Sequence, residues 1–289
     1  MNLLRPPSKL RTLLVLGRVS NVPTVWSNCL AGWWLGGGGP WVELVWVSAA
    51  LTLLYLGGMF LNDAFDANFD RQHRRLRPIP SGAIREKEVW QWGFCCLALG
   101  AAGLVWAGTT TAILTLLLTL CILLYNAVHK LAGAAPLLMG TCRWLVYLVS
   151  ASVAADGVTG SVLWCGLALA CYVMGLSWLA RKENRRGPVP YWPGIFLAAP
   201  VVLAGLVDDG PARQAGLVLS LVLGVWVFWA LGHAFWRREP KVGYAVARLL
   251  AGITLVDLLA VADLSRPWTG LFVFWFVLAL LFQRYIPAT

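Results

Sequence analysis

The stretch NDAFDANFDRQHRRLRPIPSG, residues 62–82, decides how this chain is read. Of only 13 acidic residues in the chain, three (Asp63, Asp66 and Asp70) fall close together at the end of a segment otherwise suited to lipid. At 100° per residue they share an arc of about 60° on one helix face, spread over roughly 10 Å of helix length. Carboxylates so placed repel one another unless a cation sits between them. Arg71, Arg74, Arg75 and Arg77 follow at once, then a Pro-rich turn ending in Ser81 and Gly82.

The surroundings say what kind of solvent this stretch meets. With 289 residues, 59% hydrophobic and 12% charged, and a mean hydropathy of +0.71, the chain is too apolar for a soluble domain. It reads as an all-α, polytopic membrane bundle forming a single domain over 1–289, with residues 1–20 as a cytoplasmic or interfacial N-terminal segment that lacks a cleavage site. Apolar segments at 22–38, 42–62, 88–106, 109–126, 134–155, 160–180, 190–206, 214–235, 242–262 and 267–285 predict nine to ten transmembrane helices. They are expected to surround a central cavity open to the cytoplasmic face. Most of the 23 basic residues fall in alternate loops, including Arg5, Lys9, Arg11 and Arg18, then Arg71–Lys87, then Arg181–Arg186. That bias puts both termini in the cytoplasm. Distributed in this way, the formal charge of +10 marks orientation in a bilayer and argues against nucleic acid. The seven cysteines all sit in apolar segments without a CxxC pair, so neither a disulfide framework nor a zinc site is indicated. Tryptophans such as Trp33, Trp34, Trp41 and Trp268 near span ends read as interfacial anchors, and GGGGP at 36–40 as a tight turn.

Ionisable groups inside a membrane helix mark function by default. One carboxylate near a span end is equally well explained by snorkelling; three on one face, preceded by Asn62, offer oxygen ligands to a hard divalent cation. Mg²⁺ held by one or two carboxylates completes its shell with water and substrate phosphates. Arginine matches phosphate oxygens in a bidentate way, and of the four that follow only Arg77, fixed beside Pro78, stands out from an ordinary positive loop. A Mg²⁺-bound diphosphate with its hydrophobic tail in the bilayer suits this arrangement.

The same residues resemble the first signature of the UbiA superfamily of intramembrane prenyltransferases, NDxxDxxxD followed by an RPxxxG-type turn, at the end of the second span. The resemblance covers most of the chain as architecture and a few short stretches as sequence. It implies that Asp63, Asp66 and Asp70 hold Mg²⁺ on the diphosphate of an isoprenoid donor, with Asn62 orienting them and Arg77 binding diphosphate. LLYNAVHK, with Tyr125 and Lys130, is similar to the family's Tyr-to-Lys stretch, which makes Lys130 a diphosphate contact or else a cytoplasmic anchor. The family's second acidic motif, of the DxxxD type, has no counterpart. YVMGLSWLARKENRRG stands there instead, with Glu183 its only acid and Arg181 and Lys182 beside it. Either basic groups replace a second Mg²⁺ in neutralising the leaving diphosphate, or the motif has decayed. GLSWLARKE resembles the EboC-like branch, found with secondary-metabolite operons, which favours replacement.

Arg143, in GTCRWLVYLV, is charged at a depth that demands a partner, and the donor's diphosphate or a carboxylate supplies one. Asp257 and Arg248 receive no role. His73, His129 and His233 lack metal-ligand spacing and read as structural or solvated. Tyr125, Tyr172 and Trp178 are candidates for stabilising an allylic cation through their ring faces, or are simply packed. The expected function is Mg²⁺-dependent transfer of a prenyl group from an isoprenoid diphosphate to an aromatic or other small hydrophobic acceptor, in secondary metabolism, within a bacterial cytoplasmic membrane. Its rivals are a noncatalytic lipid-diphosphate scaffold and a transporter of a hydrophobic metabolite. Donor length, acceptor and oligomeric state are not written in the sequence.

Overall fold

A computed structural model describes residues 8–129, 133, 135–181, 191–207, 210–237, 239–263 and 266–288. Among these residues every regular element is helical, as apolar segments without water to satisfy their backbone require. The helices are α1 (Lys9–Leu16), α2 (Val22–Leu35), α3 (Trp41–His73), α4 (Glu86–Val105), α5 (Thr109–Val128), α6 (Ala135–Ser152) and α7 (Gly160–Ala180). They continue as α8 (Pro193–Leu197), α9 (Ala199–Val207), α10 (Gly210–Phe235), α11 (Val242–Ala251), α12 (Ile253–Ala260) and α13 (Arg266–Phe282), with a 3₁₀ turn at Val19–Asn21. All ten expected apolar segments carry helix. Six stretches are long and apolar enough to cross a membrane: α3, α4, α5, α7, Arg213–Phe235 and Val242–Ala260.

The helix that matters most is longer than its apolar run. The expected second span ends at residue 62, whereas α3 continues unbroken to His73, 33 residues in all. Nothing between 62 and 73 breaks a helix, and Ala64 and Ala67 continue the buried stripe of the same face. At about 1.5 Å per residue α3 is roughly 50 Å long, well beyond the ~30 Å of bilayer hydrocarbon. Its last three turns therefore carry the acids to the edge of the apolar layer. α4 packs along α3 so closely that a Cβ on Gly57 would stand 2.8 Å from the Gly93 carbonyl oxygen.

α2 runs through the interior with almost every side chain buried, against α3, α6, α12 and α13. This placement is what lets its few polar residues, Thr24, Ser27 and Asn28, meet charges from other helices. At the end of α2 and α3 remote from the acids, the glycine turn is locked to the α6–α7 connection. Asp156 N–H donates to Gly36 O at 2.7 Å and Ala155 N–H to Gly38 O at 2.8 Å. Trp33, Trp34, Trp41 and Trp268 cluster beside this turn, Trp41 stacked on Trp268 with ring centroids 4.4 Å apart.

Candidate active site

Asp63, Asp66 and Asp70 lie on one face of α3, and all three are buried, Asp70 to 1% exposure. The expected repulsion is answered by cations of the chain itself. Arg77 Nη1 donates to Asp63 Oδ1 at 2.7 Å and lies 3.4 Å from Asp70 Oδ2, so one guanidinium bridges two carboxylates. The turn after α3 makes this contact possible. Ser81 N–H donates to Arg77 O, Ala83 N–H to Pro78 O, and Ile79 is buried against Leu16, Phe60 and Val89. Pinned by that apolar side chain, the chain doubles back and Arg77 reaches an acid fourteen positions earlier. Arg71 and Arg85 are spent elsewhere, on Glu86 and Glu88 at 2.5 Å each, as ordinary charges of a solvated loop.

Two further basic residues border the acidic face, and sequence reasoning assigned neither of them to it. Arg18 comes from the turn between α1 and α2. Its Nη2 lies 3.8 Å from Asp63 Oδ1 and 3.4 Å from Asn62 Oδ1, which accepts from it. Arg18 is the one non-glycine residue with positive φ among the described residues, at φ 43° and ψ 50°, and the Tyr55 hydroxyl donates to its carbonyl at 3.2 Å. A left-handed backbone at such a residue costs about 1–2 kcal/mol and is kept where the surroundings impose it. His129 is the other: its Nε2 lies 3.2 Å from Asp66 Oδ1 and its Nδ1 3.1 Å from Asn126 O. Both partners are oxygens, and which ring nitrogen carries a hydrogen depends on the tautomer. The usable signal was its place in LLYNAVHK, four residues after Tyr125, on whose ring it stacks at 5.3 Å.

Above this face opens a cavity of about 490 Å³ lined by Arg18, Asp63, His73, Arg74, Arg75 and Arg77. Four arginines and one acid, Asp63, share its wall with Val15, Leu76, Pro78 and Pro287, a combination that suits a polyanion carrying a divalent cation and an apolar tail. The donor set fits Mg²⁺ as a shared ligand. Among the described residues no three His, Cys, Asp or Glu side chains converge to enclose a metal unaided, but Mg²⁺ needs only one or two carboxylates when phosphates complete its shell. The buried Asp70 Oδ1 has no hydrogen-bond partner among the described residues, the state expected of an oxygen reserved for a ligand.

Beyond the acids, Asn62 Nδ2 donates to Asn126 Oδ1 at 3.2 Å, and Asn126 Nδ2 to Gly58 O at 3.1 Å. This pair stands between the cationic cavity and a smaller chamber of about 90 Å³ among α2, α3, α5 and α6, lined by Tyr55, Met59, Ile122, Tyr125, Asn126 and Arg143. The structure thus places Asn62, Asp63, Asp66, Asp70 and Arg77 together. The guanidinium of Arg143, expected among the diphosphate contacts, binds Thr24 and Asn28 on α2 and lines the smaller chamber. Arg181 donates to Gly133 O at 3.1 Å, in the connection that follows His129, and lies over the Trp178 ring. Lys130, Lys182 and Glu183 fall outside the described residues. Of the aromatic candidates Tyr125 lines the chamber, whereas Tyr172 is fully buried and donates to Leu249 O, and Trp178 packs on Trp192. Tyr172 is a packing residue because its hydroxyl is needed to satisfy a backbone carbonyl where α11 breaks into α12.

Comparison with known proteins gives this geometry a context. The model of the UbiA prenyltransferase family matches residues 20–241. A digeranylgeranylglyceryl phosphate synthase of Methanopyrus kandleri is 26% identical over 278 residues, covering 83% of this chain and 97% of that protein. Another protein of that name, from Methanoregula boonei, is 35% identical over 79 residues, 27% of this chain, and the match spans only 28% of that protein's length. Among solved structures, the apo form of a UbiA homologue from Aeropyrum pernix K1 superimposes with a TM-score of 0.67 at 18% identity, covering 86% of this chain and 98% of that one. A UbiA homologue from Archaeoglobus fulgidus bound to GPP and Mg²⁺ gives 0.53 at 13% identity, covering 95% and 97%. At these identities the structural likeness is one of fold. The family match, extending over most of the chain, makes this protein a member of the UbiA prenyltransferase family and an integral membrane prenyltransferase.

Proposed function

We propose that the chain transfers a prenyl group from an isoprenoid diphosphate, held with Mg²⁺, to an aromatic or other small hydrophobic acceptor inside the membrane. The observation that carries this reading is the buried acidic face of α3 beneath a cavity lined by arginines. Asp63, Asp66 and Asp70 would hold the metal, which when bound neutralises charge on the departing diphosphate. Arg77, Arg18 and Arg74 bind diphosphate oxygens. Arg77 does so by leaving the carboxylates it bridges, one set of anionic oxygens replacing another. Asn62, fixed between Arg18 and Asn126, orients the acids. As the donor's C1–O bond breaks, the electron pair leaves with diphosphate and Tyr125 presents its ring at the chamber wall, where cationic character is stabilised by an aromatic face. The apolar chamber excludes water from that carbon, the acceptor bonds to it, and the acceptor's proton passes to the released diphosphate.

The basic stretch at 181–186 supports an EboC-like enzyme of secondary metabolism, with cationic groups doing the work of a second metal. Lys130, Lys182 and Arg181 belong to this proposal as diphosphate contacts from the facing side, with Glu183 as the residual acid, and both termini are assigned to the cytoplasm. The likeness to the Methanopyrus kandleri protein favours a second reading, in which the acceptor carries a glyceryl phosphate. The test is diphosphate release and donor binding by purified protein with Mg²⁺ and prenyl diphosphates of several lengths, with EDTA and Asp66→Ala as controls. Mg²⁺-dependent binding that Asp66→Ala removes is expected. Binding that ignores Mg²⁺ overturns the reading, and binding without turnover in any acceptor mixture favours the scaffold.

A further inference from the structure

We infer that the seam between the end of α10 and the start of α11 binds the headgroup of an anionic phospholipid: Arg248 takes the phosphate oxygens, and Trp229, His233 and Tyr244 flank it. This site is separate from both cavities described above, neither of which α10 or α11 lines, and the inference does not depend on prenyl transfer.

Two arginines, Arg143 and Arg248, lie inside apolar helices, and their surroundings differ. Arg143, on α6, is bonded: its Nη1 donates to Asn28 Oδ1 at 2.6 Å and its Nη2 to Thr24 Oγ1 at 3.0 Å. Asn28 Nδ2 in turn donates to the fully buried Asp257 on α12 at 2.7 and 2.8 Å, and that carboxylate also accepts from the Ser27 and Tyr147 hydroxyls. Acid and base there share one network. Arg248 has no such arrangement. It lies within the apolar stretch Val242–Ala260, where a charge without a partner is costly. Among the described residues its guanidinium makes no hydrogen bond and joins none of the ion pairs, and its Nε is buried and unpaired. It lies over the Tyr244 ring, 4.6 Å from the centroid.

That contact sets the depth of the charge. Tyr244 is one turn nearer the start of α11, so the guanidinium is drawn back toward the end of the span, the level of lipid headgroups. The His233 ring packs on Tyr244 and Trp229 with centroids 4.9 and 4.8 Å apart. Trp229 and Tyr244 are 43% and 39% exposed, and among the described residues neither the indole N–H nor the phenol hydroxyl has a hydrogen-bond partner. Interfacial aromatics and snorkelling arginines are common; here the backbone beneath them is also held still. Trp226 Nε1 donates to Arg248 O at 2.9 Å, Gln283 Nε2 to Ala247 O at 2.8 Å, and Lys241 N–H to His233 O at 2.8 Å. α10 and α13 thus fix the stretch that carries the guanidinium and leave the group itself unspent. In sequence the joining loop, 237–241, holds three basic residues to one acid, which favours an anion. A phosphodiester offers the guanidinium two oxygens. The flanking rings suit the glycerol and ester layer of the same lipid, which a free phosphate lacks.

The test is native mass spectrometry of the purified protein in neutral detergent, titrated with dioleoylphosphatidylglycerol or with dioleoylphosphatidylcholine, and with glycerol 3-phosphate as a competitor. Wild type is expected to bind the first phosphatidylglycerol about fivefold or more tightly than phosphatidylcholine, the worth of one basic group beside an anionic lipid. Excess glycerol 3-phosphate should not displace it. Arg248→Gln should remove the preference, and Arg248→Lys should keep part of it. Mg²⁺-dependent geranyl diphosphate binding should stay within about threefold of wild type in both. Equal binding of the two lipids by wild type overturns the inference even if Arg248→Gln fails to fold. So does a preference that survives Arg248→Gln, or donor binding that falls in parallel with it. Displacement by glycerol 3-phosphate overturns the lipid assignment and makes the ligand a free phosphate.

Discussion

Two clusters in this molecule are made from the same materials, aspartates and arginines inside a bundle, and are built on opposite plans. On α3 the acids meet basic side chains directly, those of Arg77, Arg18 and His129, and Asp63 lines an open cavity. Around Asp257 the acid is wrapped by Ser27, Asn28 and Tyr147, and the arginine is kept one side chain away. Direct contacts at the rim are exchangeable, because a phosphate or a metal ion offers each partner an equivalent bond. A carboxylate enclosed by neutral donors has nothing to exchange with, so it fixes α2, α6 and α12 to one another. On the proposed function the first plan serves chemistry, and the second serves placement.

Substitutions can break that contrast. The largest effect is expected from Asp257→Ala, which leaves buried donors on Ser27, Asn28 and Tyr147 without an acceptor. Removing one member of a buried ionic network costs about 3–5 kcal/mol, read as a fall in thermal unfolding temperature in detergent. Asp66→Ala should do the reverse, lowering diphosphate release by about 10²–10³-fold, as loss of one preorganised electrostatic contact does, with the unfolding temperature nearly unchanged. Should the two variants lose stability equally, the division between exchangeable and fixed acids is wrong. Arg77→Gln comes next, with donor binding weaker by about 1.5–3 kcal/mol, the worth of a hydrogen bond to a charged group, measured by calorimetry with geranyl diphosphate and Mg²⁺. Tyr172→Phe is the smallest, about 1–3 kcal/mol of stability for an unsatisfied buried carbonyl at Leu249, and donor affinity should not move; if it does, Tyr172 is nearer the chemistry than its packing implies.

The α3 cluster was legible in the sequence and the α12 cluster was not, for a definite reason. Asp63, Asp66, Asp70 and Arg77 are local: helical periodicity puts the acids on one face, and Pro78 marks the turn that returns the arginine. Asp257 and its partners are separated by 110 to 230 positions, and only the packing of α2 in the interior joins them. Arg18 was counted as one more cytoplasmic charge because a left-handed backbone leaves no mark on residue type. His129 was set aside for want of metal-ligand spacing, when its partner was a single acid on a neighbouring helix. Arg143 was recognised as costly, but its contacts to Thr24 and Asn28 were not foreseen, since depth in the membrane can be counted along a helix but azimuth against other helices cannot. The helix was read past its apolar run, since the acids at 63–70 were placed on a helix face, and α3 continues to His73.

Tyr55 has one consequence for the order of events. Its ring lines the inner chamber, and its hydroxyl holds the carbonyl of Arg18, whose side chain stands over Asp63 at the mouth. Anything that shifts this ring on entering the chamber releases or tightens a strained turn at the opposite compartment. On the proposed function the two substrates would not load independently: steady-state kinetics should show the affinity for one depending on occupancy by the other, and Tyr55→Phe should uncouple them while leaving both sites intact.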